Sequence, residues 1–159
     1  MKASSLNELK QELQEQSPKR VLEITLRLAR FKKENKELLT YLLFEAHDER
    51  AYIRSIKEEI DNQLMLMNSS NLYLIKKSLR KILRSINKYV KYSGIKETEA
   101  ELRIYYCTQL KKSGLPIKKS QQVINIYQNQ IKKINAVIAK LHEDLQYDYL
   151  KEIEGLDLD

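Results

Sequence analysis

Apolar residues recur every three or four positions along almost the whole chain, the period of a helix packed on one side. Ser5 and Glu8 form a capping box ahead of Leu6, Leu9 and Leu13, which predicts a first helix from Leu6 to Glu15. Ser17-Pro18 reads as an N-cap with proline at the first helical position. The second helix then carries Val21, Leu22, Thr25, Leu28 and Ala29 on one face. After the polar break Lys32-Lys33-Glu34-Asn35, the residues Leu38, Leu39, Tyr41, Leu42, Leu43 and Phe44 predict a short third helix. It is apolar on nearly every side, which predicts a central place in the packing.

Asp48 marks the cap of a fourth helix reaching about Met67, with Ile53, Ile56, Ile60 and Leu64 on its inner face. Asn68-Ser69-Ser70-Asn71 is the clearest loop. In the fifth helix, from about Leu72 to Tyr92, the seam Leu72, Ile75, Leu79, Ile82, Ile86, Tyr89 alternates gaps of three and four, and Gly94 ends it. The sixth begins between Ile95 and Glu99, has acids in its first turns and stops at Gly114. The seventh spans about Lys118 to Tyr147, with Tyr127, Ile131, Ile134, Ile138, Leu141 and Leu145 on its seam.

Such seams face neighbours crossed at about 20°. The prediction is an all-α fold of about seven helices in a single domain, 1–159. Helices four to seven (48–147) form an antiparallel four-helix-bundle-like core, residues 1–46 a small N-terminal helical cap, and 150–159 an acidic tail. A seventh helix of roughly 45 Å would overhang a fifth of roughly 32 Å. Its excess seam needs cover, from the first three helices or from a homodimer through helix 118–147; cover within the chain is preferred.

Charge sharpens this picture. Residues 68–140 hold 16 Lys and Arg against 3 acids, the first 67 residues balance 12 against 12, and the last 19 hold one Lys against seven acids. Blocks of opposite sign point to an internal pairing or a charged partner. On the fifth helix, Lys77, Lys81, Arg84 and Lys88 fall in one outward sector, flanked by Arg80 and Lys91, with Tyr73 and Tyr92 near the same surface. Such a row can neutralise phosphates without reading sequence, and tyrosine can stack on a base. Solvation, or pairing with Glu58, Glu59 and Asp61 or with the acidic end Glu143 to Asp159, explains the same row and is favoured on frequency. Lys111, Lys112, Lys118 and Lys119 form a second cluster at the bend between the sixth and seventh helices.

Catalytic chemistry is not signalled. His47-Asp48-Glu49 and His142-Glu143-Asp144 carry zinc-compatible groups, but adjacent residues point to different helix sides, so no metal is assigned. A single Cys, Cys107, cannot form an internal disulfide and reads as a packed thiol. No cofactor is expected. No apolar run is long enough for a signal peptide or a membrane span, and a cytoplasmic location follows as the expectation.

The segment Ser17 to Glu45, SPKRVLEITLRLARFKKENKELLTYLLFE, and the later LHEDLQYDY, Leu141 to Tyr149, resemble a family of small all-helical bacterial proteins with no known activity. The shared positions are structural leucines, so no functional residue carries over. The functional expectation is a non-enzymatic helical binding or scaffold protein with a protein partner. A nucleic-acid-associated protein using the basic face of helix 72–92 is the alternative, and a metal-dependent bundle enzyme the weaker one.

Overall fold

Good capping opens the chain. In the computed structural model, which describes residues 2–158, the Ser5 hydroxyl accepts the Glu8 backbone N–H at 3.3 Å and Glu8 accepts that of Ser5 at 2.7 Å. Asp159 of the predicted acidic tail lies outside the described residues. The described residues form eight α-helices with short 3-10 and π turns and no strand. Contacts divide them into two units, one ending at Phe44 and one starting at Glu45.

The first unit holds α1 (Leu6–Gln14), α2 (Pro18–Phe31) and α3 (Lys33–Thr40). Ser17 caps α2 as predicted, accepting from the Arg20 N–H. The break before α3 is shorter than the predicted polar stretch. Lys32 alone turns the chain, in extended conformation (φ −141°, ψ 147°), and the Asn35 amide donates to the Leu28 carbonyl at 2.8 Å across the turn. α2 and α3 pack as a hairpin. The expectation that the third helix is central to packing holds for one residue only: Tyr41 is buried, but no residue of α1, α2 or α3 is, and Leu42, Leu43 and Phe44 beyond α3 are exposed. A helix hairpin encloses only one of its faces, and a helix apolar all round has more faces than one neighbour can cover.

The second unit holds α4 (Glu49–Met65), α5 (Leu72–Ser93), α6 (Lys96–Lys112), α7 (Gln121–Ile138) and α8 (Glu143–Ile153). Side chains of Asp48 and Asn71 accept the N–H groups of Ala51 and Leu74 and start α4 and α5. Gly94 ends α5 in the left-handed region at φ 68°, where a side chain would be strained. α6 is the centre. It packs against α4, α5, α7 and α8, and Ala100, Leu102, Ile104, Tyr106, Cys107 and Leu110 are all buried.

The predicted seventh helix is two helices. α7 stops at Ala139, Leu141 turns inward and is buried, and His142 starts α8 in extended conformation, its Nδ1 accepting the Asp144 N–H at 3.4 Å. The break puts Glu143 and Asp144 in the first turn of α8, where the helix dipole favours them, and lets α8 fold back on α6 and α7. At 18 residues α7 is about 27 Å long, so the expected overhang does not arise. The region read as an acidic tail is ordered on this surface. Leu156 is 5% exposed, and the Tyr127 hydroxyl donates to its carbonyl at 2.6 Å.

Candidate binding surface on α5

The buried face of α5 is Ile75, Leu79, Ile82, Leu83, Ile86 and Val90. At about 100° per residue the opposite sector carries Tyr73, Lys77, Arg80, Lys81, Arg84, Lys88 and Lys91, spread over about 100°. Burial against α4, α6 and α7 therefore fixes where this row points. Lys77, Arg80, Lys81, Arg84 and Lys91 are exposed, and Tyr73 is 67% exposed beside them. Among the described residues none of these five cations has an ion pair. Lys88 and Tyr92 are half-buried and differ in kind: the Lys88 ammonium lies 5.3 Å from the Tyr89 ring centre, and the Tyr92 ring packs edge-on against Tyr89. The predicted face is thus open over Lys77 to Arg84 and again at Lys91, while Lys88 and Tyr92 are drawn into packing.

Two of the helix-four acids proposed to neutralise it, Glu59 and Asp61, are engaged elsewhere, while Glu58 is exposed. Asp61 accepts the Tyr105 hydroxyl at 2.7 Å, and Glu59 accepts the Tyr89 hydroxyl at 2.8 Å and the Gln63 amide. Burial, with Asp61 beside it, holds the Tyr105 hydroxyl above its ordinary pKa. The acidic end of the chain lies on α6 and α7. Tyr149 of α8 has its hydroxyl raised first by burial and then by the charges of Glu101, Glu152 and Glu97. The cluster at the α6–α7 bend is divided. Lys111 donates to the carbonyls of Gly155 and Asp157 at 2.8 and 2.7 Å, while Lys112, Lys118 and Lys119 are exposed.

The histidine motifs serve as helix starts. Asp48 caps α4, His142 caps α8, and Glu49 accepts the Ser93 and Thr98 hydroxyls, tying α4 to α5 and α6. Among the described residues no group of three His, Cys, Asp or Glu side chains could hold a metal ion. Cys107 is fully buried and its thiol is pushed up to about 12, chiefly by burial and partly offset by Arg103.

Two features escaped the sequence reading. Arg103, 4% exposed, spends its guanidinium on Glu99, Gln130 and Asn87, three residues scattered over α5, α6 and α7. Nothing at the level of spacing marks that cluster, although an Arg four residues after a Glu is a cue for half of it. The other is a basic, apolar groove between α2 and α3, for which Lys32-Lys33 between two Leu-rich runs was the available signal. Among the described residues no helix is long and apolar enough to cross a membrane. No protein-family model, curated protein or solved structure matches the chain.

Proposed function

We propose that this is a non-enzymatic helical binding protein whose second unit docks an anionic surface of a partner protein on the exposed row of α5. One observation carries the reading: Lys77, Arg80, Lys81 and Arg84, with Lys91 further along, are held open on a well-packed helix while Glu59 and Asp61 of the neighbouring helix are committed to other partners. Packing behind the row makes it a rigid face, so a partner gains its contacts with little loss of order. The unpaired, buried Cys107 is in keeping with a cytoplasmic setting.

A nucleic-acid backbone is the second reading, and exposed Tyr73 on the same stripe favours it, because an aromatic ring beside cations can stack on an unpaired base. Fluorescence anisotropy separates the two. A labelled single-stranded oligonucleotide and labelled polyglutamate are titrated with the full chain at rising salt. Docking on this row predicts binding to polyglutamate that Lys77→Glu with Arg84→Glu weakens roughly tenfold. Oligonucleotide binding that falls steeply with salt and weakens in Tyr73→Ala would favour the nucleic-acid reading. Unchanged affinity of the charge-reversed chain for both probes would end both.

A further inference from the structure

The first unit carries a second surface of different chemistry. A groove of about 540 Å³ lies between α2 and α3, floored by Leu26, Ala29, Leu39, Leu43 and Phe44. Phe44 is 64% exposed, and no residue of α1 to α3 is buried, so this floor is open. Arg30, Lys32, Lys33 and Lys36 rim it, and no acid lines it. Lys33 lies 3.6 Å from Glu37; Arg30, Lys32 and Lys36 have no ion pair among the described residues.

We propose that the α2–α3 groove docks an acidic amphipathic helix of a partner protein. The floor accepts apolar side chains spaced i, i+3, i+4, i+7, and the basic rim meets Asp or Glu flanking that stripe. The charge of the rim selects the sign of the partner, because a basic helix would bring like charges together at the edge of an apolar contact. The concave shape suits a helix better than a planar bilayer. A second copy of the chain fits less well. The amphipathic helix it offers is α1, and at about 100° per residue Glu8 and Glu15 lie opposite the stripe Leu6, Leu9, Leu13, with Glu12 on one flank and Lys10 on the other. Docking that stripe would carry Glu8 and Glu15 away from the rim and bring Lys10 toward it, leaving Glu12 as the one acid placed to meet it.

The test uses the full chain and a fluorescent synthetic helix of about 18 residues, long enough to hold helical form on binding, with Leu at the stripe positions and Glu beside them. Its Lys-flanked counterpart and vesicles of phosphatidylcholine with phosphatidylglycerol are the other probes. The Glu peptide should bind at least roughly tenfold tighter than the Lys peptide, lose roughly tenfold in Arg30→Glu with Lys36→Glu, and weaken with salt. Lys77→Glu with Arg84→Glu should leave it unchanged, which separates this groove from the α5 surface. Arg30 and Lys36 are exposed, so circular dichroism should show these variants folded. Equal affinity for the two peptides, or indifference to the groove charges, overturns the proposal. So does tighter capture by vesicles, or self-association in sedimentation that the Glu peptide fails to compete away.

Discussion

Arg103 shows how a single side chain can hold three helices together. Its guanidinium donates to Glu99 at 2.8 Å, Gln130 at 2.8 Å and Asn87 at 2.9 Å while almost no surface is left to water. Arg103→Ala would strand those acceptors and should cost about 3 kcal/mol in urea unfolding. A loss under about 0.5 kcal/mol, typical of an indifferent surface site, would refute the network's role. Two buried tyrosines provide a contrast. The Tyr127 hydroxyl reaches the Leu156 carbonyl, whereas the Tyr106 hydroxyl is buried with no hydrogen-bond partner among the described residues. Tyr127→Phe should lose about 1 kcal/mol, and Tyr106→Phe should be neutral or gain a similar amount. Equal losses in chemical denaturation would contradict this. Cys107 predicts a pH effect. Its thiol is raised from 9.0 to about 12 in the fold, so below pH 9 both states are protonated. Between about 9 and 12 the unfolded chain releases a proton that the folded chain keeps, and stability falls as pH rises. Tyr106 and Tyr127 are shifted the same way by burial. The urea midpoint should drop across this window, less steeply in Cys107→Ala; a flat profile would refute the shift.

Between elements, the decisive events are stops. Gly94 and Gly114 both sit at φ 68°. A Cβ at Gly94 would meet no atom within 4 Å, so Gly94→Ala tests backbone strain alone and should cost about 1 kcal/mol in thermal unfolding. The other stop, at Ala139 to His142, replaces one long helix by α7 and α8 and turns an acidic segment back onto α6. Leu156 then closes the end of the chain over Tyr127. Leu156→Ala should cost about 2 to 3 kcal/mol by leaving a cavity there. If chemical denaturation shows the chain indifferent to that change, the chain end is not part of the second unit's core. The break was hidden in the sequence because Leu141 and Leu145 keep the three-four spacing on both sides of it. Periodicity marks which residues face inward; it does not register a turn that preserves phase.

For the whole molecule, charge was the most legible functional cue and the least decisive. The basic block, the acidic end and the outward row on α5 follow from composition and a helical wheel. Whether acids cover the row depends on contacts between residues tens of positions apart, such as Tyr105 with Asp61 and Tyr89 with Glu59. The same holds for Lys111, which looked like part of an open cluster and instead anchors the chain end. In the first unit the Leu-rich third helix suggested a core position, and the fold buries Tyr41 but exposes Leu42, Leu43 and Phe44. By itself, the sequence determined the helical class, most caps and boundaries, and the inward faces of α4, α5 and α7, because these depend on neighbours within a few residues along the chain. Only the tertiary structure decided that α6 is central, that the last long helix is two, and which of the charged residues remain open. Each of those outcomes depends on which distant side chain arrives within hydrogen-bonding or packing distance, and one-dimensional spacing carries no measure of that distance.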